Sequence, residues 1–164
     1  MLFMCDASFM NTPFDVLIVG GGPAGMSAAL LLGRCLRSVV VCDAGRPRNA
    51  AARQFNGFLS RDGSSPSAFR NLCRSELKRY KTVTWRDTEI VAIERHDQSF
   101  TATCANGERL DAKIVLLATG AVDELPKIDG LLQFYGSSVH SCPFCDGFEC
   151  KGQPIAVTGG SQEA

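Results

Sequence analysis

Phe14-Asp15-Val16-Leu17-Ile18-Val19 runs directly into Gly20-Gly21-Gly22-Pro23-Ala24-Gly25 and then into an Ala- and Leu-rich stretch, Met26 to Leu36. The order of these three pieces decides the fold. Branched apolar residues in a continuous run predict a strand buried on both faces, as in a parallel sheet. The stretch after the glycines has no proline and one glycine, Gly33, and predicts a tightly packed helix. Val39-Val40-Val41-Cys42-Asp43 predicts a second strand and completes a βαβ unit of about 30 residues. Within Gly20-x-Gly22-x-x-Gly25 the first glycine permits a tight turn, the second lets a pyrophosphate approach the backbone, and the third lets helix and strand pack closely. The helix N-terminus that opens at Pro23 and Ala24 offers free N–H groups and a positive dipole end to phosphates. Asp43 ends the second strand eighteen residues past Gly25, where a carboxylate can take a ribose hydroxyl pair. Together these predict dinucleotide binding; the competing reading is that the glycines serve only the turn. The charge of Asp43 disfavours a 2′-phosphate, which leaves FAD or NAD. Arg46 and Arg48, just beyond it, either oppose that preference or are solvated loop arginines.

Outward from this unit, residues 44–65 predict a loop, with Arg46-Pro47-Arg48-Asn49 and Arg61-Asp62-Gly63 as turn chemistry. Pro66 opens a helix with Ser65 as cap, and Phe69, Leu72, Cys73 and Leu77 keep helical spacing. Val83-Thr84-Trp85 predicts a short strand. Residues 88–95, 99–104 and 109–118 predict three more, with Asn106-Gly107 as a tight hairpin between the last two. A small antiparallel ribbon therefore interrupts an α/β pattern, and the apolar run Ile114-Val115-Leu116-Leu117-Ala118 resumes it as a buried strand before Thr119-Gly120. Ile155-Ala156-Val157-Thr158-Gly159-Gly160 repeats the strand-then-glycine signal near the C-terminus.

The chain has 164 residues, the scale of one domain, with 17 basic and 17 acidic residues and a formal net charge of +0. That balance argues against a nucleic-acid or anionic membrane surface, which needs a basic excess. No apolar run approaches the ~18 residues of a membrane-spanning helix. The start, Met1-Leu2-Phe3-Met4-Cys5-Asp6, lacks the basic region of a signal peptide. Residues 1–12 are expected to be an N-terminal extension, and the protein is expected to be cytoplasmic. Cys35, Cys42, Cys73 and Cys104 fall in predicted helices or strands and read as small buried hydrophobes in a reducing compartment.

Cys142 and Cys145 differ, since His140-Ser141-Cys142-Pro143-Phe144-Cys145-Asp146-Gly147 pairs them at a spacing that suggests chemistry. With Cys142 capping a single helical turn, Pro143 suits its first position and Gly147 ends it. Residues three apart on a turn have Cβ atoms ~5–6 Å apart, close to disulfide distance, so the pair can open and close with little backbone motion. A turn N-terminus stabilises a thiolate at Cys142. Asp146 can give a proton to a departing thiolate or take one from an attacking thiol. The rival is zinc on His140, Cys142, Cys145 and Cys150, although structural zinc sites usually use two short ligand couples and this cluster has one. His140 reads either as a polar loop residue or as a participant.

From Phe14 to its last residue, the sequence resembles the thioredoxin-reductase-like flavoproteins, the two-Cys branch of the FAD-dependent pyridine nucleotide-disulfide oxidoreductases. Four motifs carry the resemblance in order: Gly20-Gly21-Gly22-Pro23-Ala24-Gly25, Leu117-Ala118-Thr119-Gly120-Ala121, Cys142-Pro143-Phe144-Cys145-Asp146-Gly147 and Val157-Thr158-Gly159-Gly160. Two further stretches, from Asp43 to Asn49 and from Asn56 to Gly63, look closer to less-characterised bacterial members and dithiol oxidases. The resemblance implies FAD on Gly20, Gly22, Pro23, Ala24, Gly25 and Asp43, with Ala118, Thr119 and Gly120 near the flavin. It implies NAD(P)H on a second domain that begins with Gly159, and electrons passing from NAD(P)H to flavin to the Cys142–Cys145 disulfide and on to a substrate. Cys145 would face the flavin, Cys142 would attack substrate, and Asp146 would be the acid/base. The second glycine segment departs from the family: Gly159-x-Ser161-x-x-Ala164 puts a side chain where a pyrophosphate should pass.

The expected architecture is α/β: a Rossmann-like, FAD-binding, three-layer ββα domain with a small antiparallel β-ribbon, followed by the start of a truncated NAD(P)H-binding domain. The expected boundaries are 13–137 for the FAD-binding part and 138–164 for the redox segment and the beginning of the next domain. The expected function is flavin-dependent dithiol–disulfide oxidoreduction on a thioredoxin-like protein or a small-molecule disulfide or dithiol. No nucleic-acid or membrane partner is expected, and the full-length protein would be a homodimer. The alternatives are a dithiol oxidase that makes a disulfide in a small molecule, and a truncated nucleotide-binding module without turnover.

Overall fold

The computed structural model describes residues 13–158. The N-terminal extension, and Gly159, Ser161 and Ala164 of the second glycine segment, lie outside the described residues. The elements are β1 (Phe14–Val19), α1 (Pro23–Arg34), β2 (Val39–Cys42), α2 (Pro66–Leu77), β3 (Val83–Arg86), β4 (Ile90–Arg95), β5 (Phe100–Cys104), β6 (Arg109–Leu117), α3 (Leu131–Phe134) and α4 (Pro143–Asp146). The described residues through Gly45 form one compact unit with Arg74–Thr119; Arg46–Cys73 and the described residues from Gly120 onward form another.

The first unit holds the whole sheet, in the order β3-β2-β1-β6-β5-β4. β1 pairs in parallel with β2 on one side and β6 on the other, and β2 pairs in parallel with β3. β4, β5 and β6 form the antiparallel ribbon. β6 joins the two parts. Its first residues, Arg109 to Ala112, oppose β5, while Ile114 to Leu117 oppose β1.

Leu17, Val40, Cys42, Ala102, Cys104, Leu110 and Ala112 form one buried cluster. In a flat sheet β2 and β5, three positions apart, would be separated by about 14 Å. Contact between Cys42 and Cys104 therefore requires the ribbon to curl over one face of the parallel strands. The opposite face carries Ile18, Val39 and Val41, all 0% exposed, and receives α1 with its buried Met26 and Ala29. Ribbon, parallel sheet and helix make the three layers expected from the sequence. Burial of β1 and β2 from both sides explains why they read as continuous apolar runs.

Three local expectations are corrected. Cys35 is exposed, because α1 ends at Arg34 and Cys35 follows the last turn. Ile114 and Leu117 are 57% and 68% exposed, since β5 pairs with β6 only as far as Ala112 and the rest of β6 has β1 alone as neighbour among the described residues. Residues 154–158 form no strand, and Ile155 and Val157 lie exposed; a lone apolar run has no ladder to complete. No helix among the described residues is long and apolar enough to cross a membrane.

Candidate functional site

The glycine turn leaves β1 at the C-terminal end of the parallel strands. Gly20 donates its N–H to the Cys42 carbonyl at 2.8 Å, and Ala118 donates to Val19 at 2.8 Å, so β2 and β6 flank the exit of the chain. β1 and β6 are parallel neighbours, so their C-terminal ends share one edge of the sheet, the edge at which α/β sheets bind ligands. A Cβ on Gly25 would collide with the Gly20 carbonyl, so glycine is required there for the turn to close. Gly22 is different. Its φ is −77°, and no protein atom lies within 4 Å of where its Cβ would stand. Packing does not call for glycine at Gly22, and the open position leaves room for close approach of a ligand. Gly22 is also the N-cap of α1 and supplies no side-chain cap, so the first N–H groups of the helix are left without one. The turn therefore fits the diphosphate of a dinucleotide.

Asp43 stands where the spacing put it. Its Oδ1 accepts the Gly21 N–H at 3.2 Å, which ties the carboxylate to the glycine turn. The sequence reading missed Trp85, the single tryptophan of the chain. A Cβ on Gly21 would meet its Cη2 at 2.5 Å, so the indole edge walls the turn beside Asp43. Asp87 accepts from the Trp85 indole at 2.9 Å and from Arg74 at 2.7 Å, and the Arg74 guanidinium lies 4.5 Å from the ring centre. Ala118 lies against the turn as well, because a Cβ on Gly20 would strike its carbonyl. Thr119 follows, and Gly120 has φ +72°.

Arg48 is ion-paired within the second unit, with its side chain 58% exposed. Its Nε and Nη2 grip Asp123, with the shortest contact at 2.6 Å. The guanidinium holds the Asp123 carboxyl below the usual carboxylate range, and Asp123 raises Arg48. Tyr135 donates its hydroxyl to Asp123 at 3.3 Å and lies 3.2 Å from the Ser141 hydroxyl.

The second unit also contains the thiol pair. Cys142 and Cys145 form a disulfide with a Cα–Cα distance of 5.3 Å. Cys142 is the N-cap of α4 and Pro143 its first residue. The Cys142 carbonyl accepts from Cys145 and Asp146 at 3.1 and 3.2 Å. Gly147 ends the turn, but at φ −68° rather than in the left-handed region; glycine suits it because a Cβ would meet the Pro143 carbonyl. Cys142 is half-buried and Cys145 exposed. Asp146 lies inside the turn, with its Oδ1 3.4 Å from His140 Nδ1. His140 is thus a neighbour of the candidate acid/base. Cys150 is a free thiol, and among the described residues no group of three His, Cys, Asp or Glu side chains is arranged to hold a metal ion.

Residues 14–162 match a family model described as pyridine nucleotide-disulphide oxidoreductase. Thioredoxin reductase sirT of Leptosphaeria maculans is 38% identical over 146 residues, covering 87% of this chain and 45% of that protein. Thioredoxin reductase aclD of Aspergillus oryzae is 41% identical over 144 residues, covering 86% and 46%. The crystal structure of an oxidoreductase from Agrobacterium tumefaciens superposes with a TM-score of 0.81 at 39% identity, covering 85% of this chain and 47% of that one. The chain spans less than half the length of each of these relatives.

Proposed function

The chain belongs to the pyridine nucleotide-disulphide oxidoreductase family, and on that premise we propose that it serves an FAD-dependent dithiol–disulfide oxidoreductase of thioredoxin reductase type. The observation that carries this reading is the closed Cys142–Cys145 pair on a single helical turn that also contains Asp146. Gly20, Gly22, Pro23, Ala24, Gly25 and Asp43 would hold the diphosphate and adenosine ribose of FAD, with Ala118, Thr119 and Gly120 as further contacts. FAD, when bound, supplies a two-electron couple between a nicotinamide and thiols. NAD(P)H, with Gly159 among its contacts, is the proposed source of electrons.

The chain's own residues perform the exchange. In the dithiol state the Cys142 thiolate attacks one sulfur of a substrate disulfide, and the other substrate sulfur leaves as a thiolate that takes a proton. The Cys145 thiolate then attacks Cys142 Sγ, which re-forms the intramolecular disulfide and releases the second substrate thiol. Asp146 takes the proton from an attacking thiol and returns it to a leaving one, a role worth typically 10²–10⁴-fold in rate. The proposed substrate is a thioredoxin-type protein or a small-molecule disulfide.

Two measurements test this. FAD titrated into the protein should quench Trp85, which stands at the glycine turn, and a small dithiol should open the Cys142–Cys145 bond more slowly in Asp146→Asn. Absence of quenching would remove FAD from the reading, and an unchanged opening rate would remove Asp146. The resemblance assigns attack to Cys142, although Cys145 is the more exposed residue. With an activated aromatic disulfide, Cys145→Ser should therefore form a mixed disulfide faster than Cys142→Ser; the reverse order would exchange the two roles.

A further inference from the structure

The loop between β2 and α2 contacts the redox turn directly at one end and reaches the residue before it through a relay of side chains at the other. Asn56 Nδ2 donates to the Cys145 carbonyl at 2.9 Å, across 89 residues of sequence. On the other side, the chain from Arg48 through Asp123 and Tyr135 ends at Ser141, the residue before Cys142. We propose that this loop is the positioning element of the redox turn, and that Asn56 is the residue through which it stabilises the closed Cys142–Cys145 disulfide.

The loop is built to hold Asn56 still. Phe55 and Ser64 pair as an isolated antiparallel bridge, with Phe55 donating to Ser64 at 3.0 Å and Gly63 donating back at 3.1 Å. Asp62 accepts from the Gly57 N–H at 2.7 Å, and Gly57 turns at φ +77°. Phe55, Phe58 and Phe69 pack with ring centres 5.2 to 6.3 Å apart. Gln54 Nε2 donates to Asn56 Oδ1 at 3.3 Å, which turns the amide so that its nitrogen faces Cys145.

The Cys145 carbonyl is open to such a donor. A helix leaves its last carbonyls without intrahelical partners, and the backbone donors of α4 go to Cys142 and Pro143 instead. The disulfide and the Asn56 bond both restrict the same four residues. Once the disulfide has ordered the turn, the hydrogen bond forms at a smaller entropic cost, and by linkage the bond favours the disulfide to the same extent. Asn56 touches neither sulfur and takes no proton, so its effect belongs to the dithiol–disulfide equilibrium.

This inference rests on the redox reading above, and its test separates the two. The protein is poised in glutathione buffers of set ratio, quenched in acid and alkylated, and the peptide holding Cys142 and Cys145 is weighed. Each closure takes two electrons and two protons from the two thiols and gives them to one oxidised glutathione, which leaves as two thiols. Asn56→Ala should shift the equilibrium toward the dithiol by about two- to tenfold, the worth of one net hydrogen bond. Asn56→Asp, which sets an acceptor against the carbonyl, should shift it at least as far. Equal constants for wild type and both variants would overturn the role of Asn56 and leave the redox reading intact. A wild-type chain that never closes the pair across the titration would overturn the redox reading, and this inference with it.

Discussion

The two compact units hold themselves together by different means. The first is a hydrogen-bonded sheet whose apolar faces are covered by a ribbon on one side and α1 on the other. The second, described by itself, has no strand longer than an isolated bridge among its described residues. Beside the rings of Phe55, Phe58 and Phe69, it relies on side-chain bonds: Arg48 to Asp123, Tyr135 to Asp123, Asn56 to Cys145, and one disulfide. A ladder repeats, so losing one of its members removes little geometry. A set of single polar bonds does not repeat, and each one positions something. The paired sulfurs belong to the second kind of structure.

The cysteines give the sharpest form of the contrast. In the sheet unit, burial and then the neighbouring Cys104 push the Cys42 thiol up to about 12. Cys104 is raised as well, again chiefly by burial. A raised thiol stays protonated and unreactive until pH approaches its folded value. At pH 8 the thiolate fraction at Cys42 is about 10⁻⁴, against roughly a quarter for a thiol near 8.5. In the reduced protein, iodoacetamide should therefore label Cys42 far more slowly than Cys142 and Cys145, as peptide mapping over time would show. Comparable rates would mean that the β2–β5 core opens under native conditions.

Leu17→Ala tests the apolar side of the comparison. Leu17 is 0% exposed and lies in the cluster between the two sheet layers. Truncation leaves a cavity and should cost about 2–5 kcal/mol, read as a lower urea midpoint from Trp85 emission. The Cys142–Cys145 equilibrium, measured in the native baseline, should stay where it is.

Gly25 and Gly22 divide structure from ligand within a single turn. Gly25→Ala forces a methyl group onto the Gly20 carbonyl, and overpacking of this kind costs about 1–3 kcal/mol. Gly22→Ala meets no protein atom at a φ open to any residue, so stability should change by less than about 0.5 kcal/mol. Quenching of Trp85 by FAD should nevertheless weaken. If Gly22→Ala binds FAD as well as the parent chain, the open position has another purpose.

The parts legible in the sequence are those that repeat or that act between near neighbours. The run Val16 to Val19, the spacing of Gly20, Gly22 and Gly25, the hairpin at Asn106-Gly107, and Ser65 accepting from Ala68 at 3.4 Å are all local patterns that secondary structure enforces. Cys142 and Cys145 were legible as a pair because one helical turn alone brings residues three apart together. Arg48 and Asp123 are separated by 75 positions and Asn56 and Cys145 by 89. Nothing periodic links them, so their meeting depends on the completed chain path. The exposure of Ile114 was illegible for a related reason. Its apolar character announces a strand, but whether anything covers that strand is not written in its own residues.

The smallest expected effect comes from acid, and it bears on the difference between a ladder and single bonds. Asp123 is held below the usual carboxylate range by its hydrogen bonds from Arg48, and Asp15 by its bond from Lys113 at 2.7 Å and then by the Ser38 N–H. A carboxyl whose folded value lies below its unfolded value of ~3.9 contributes stability that is complete above that value. The contribution fades as pH falls through the folded value. Both contributions should therefore be steady from pH 5 to 8 and decline below about pH 4. The consequences should differ between the units. β1 remains paired with β2 and β6 whether or not Asp15 is charged, whereas the Arg48 contact has no ladder behind it. In a two-dimensional NMR titration, the Arg48 Nε–H signal should move to the position of a free arginine and lose protection from solvent exchange only as pH falls through the folded value of Asp123, below the usual carboxylate range. The amides of Val16 to Ile18 should keep theirs through the same range. Simultaneous loss of both sets would show that the two units melt as one, and that the redox turn draws on the sheet for its order.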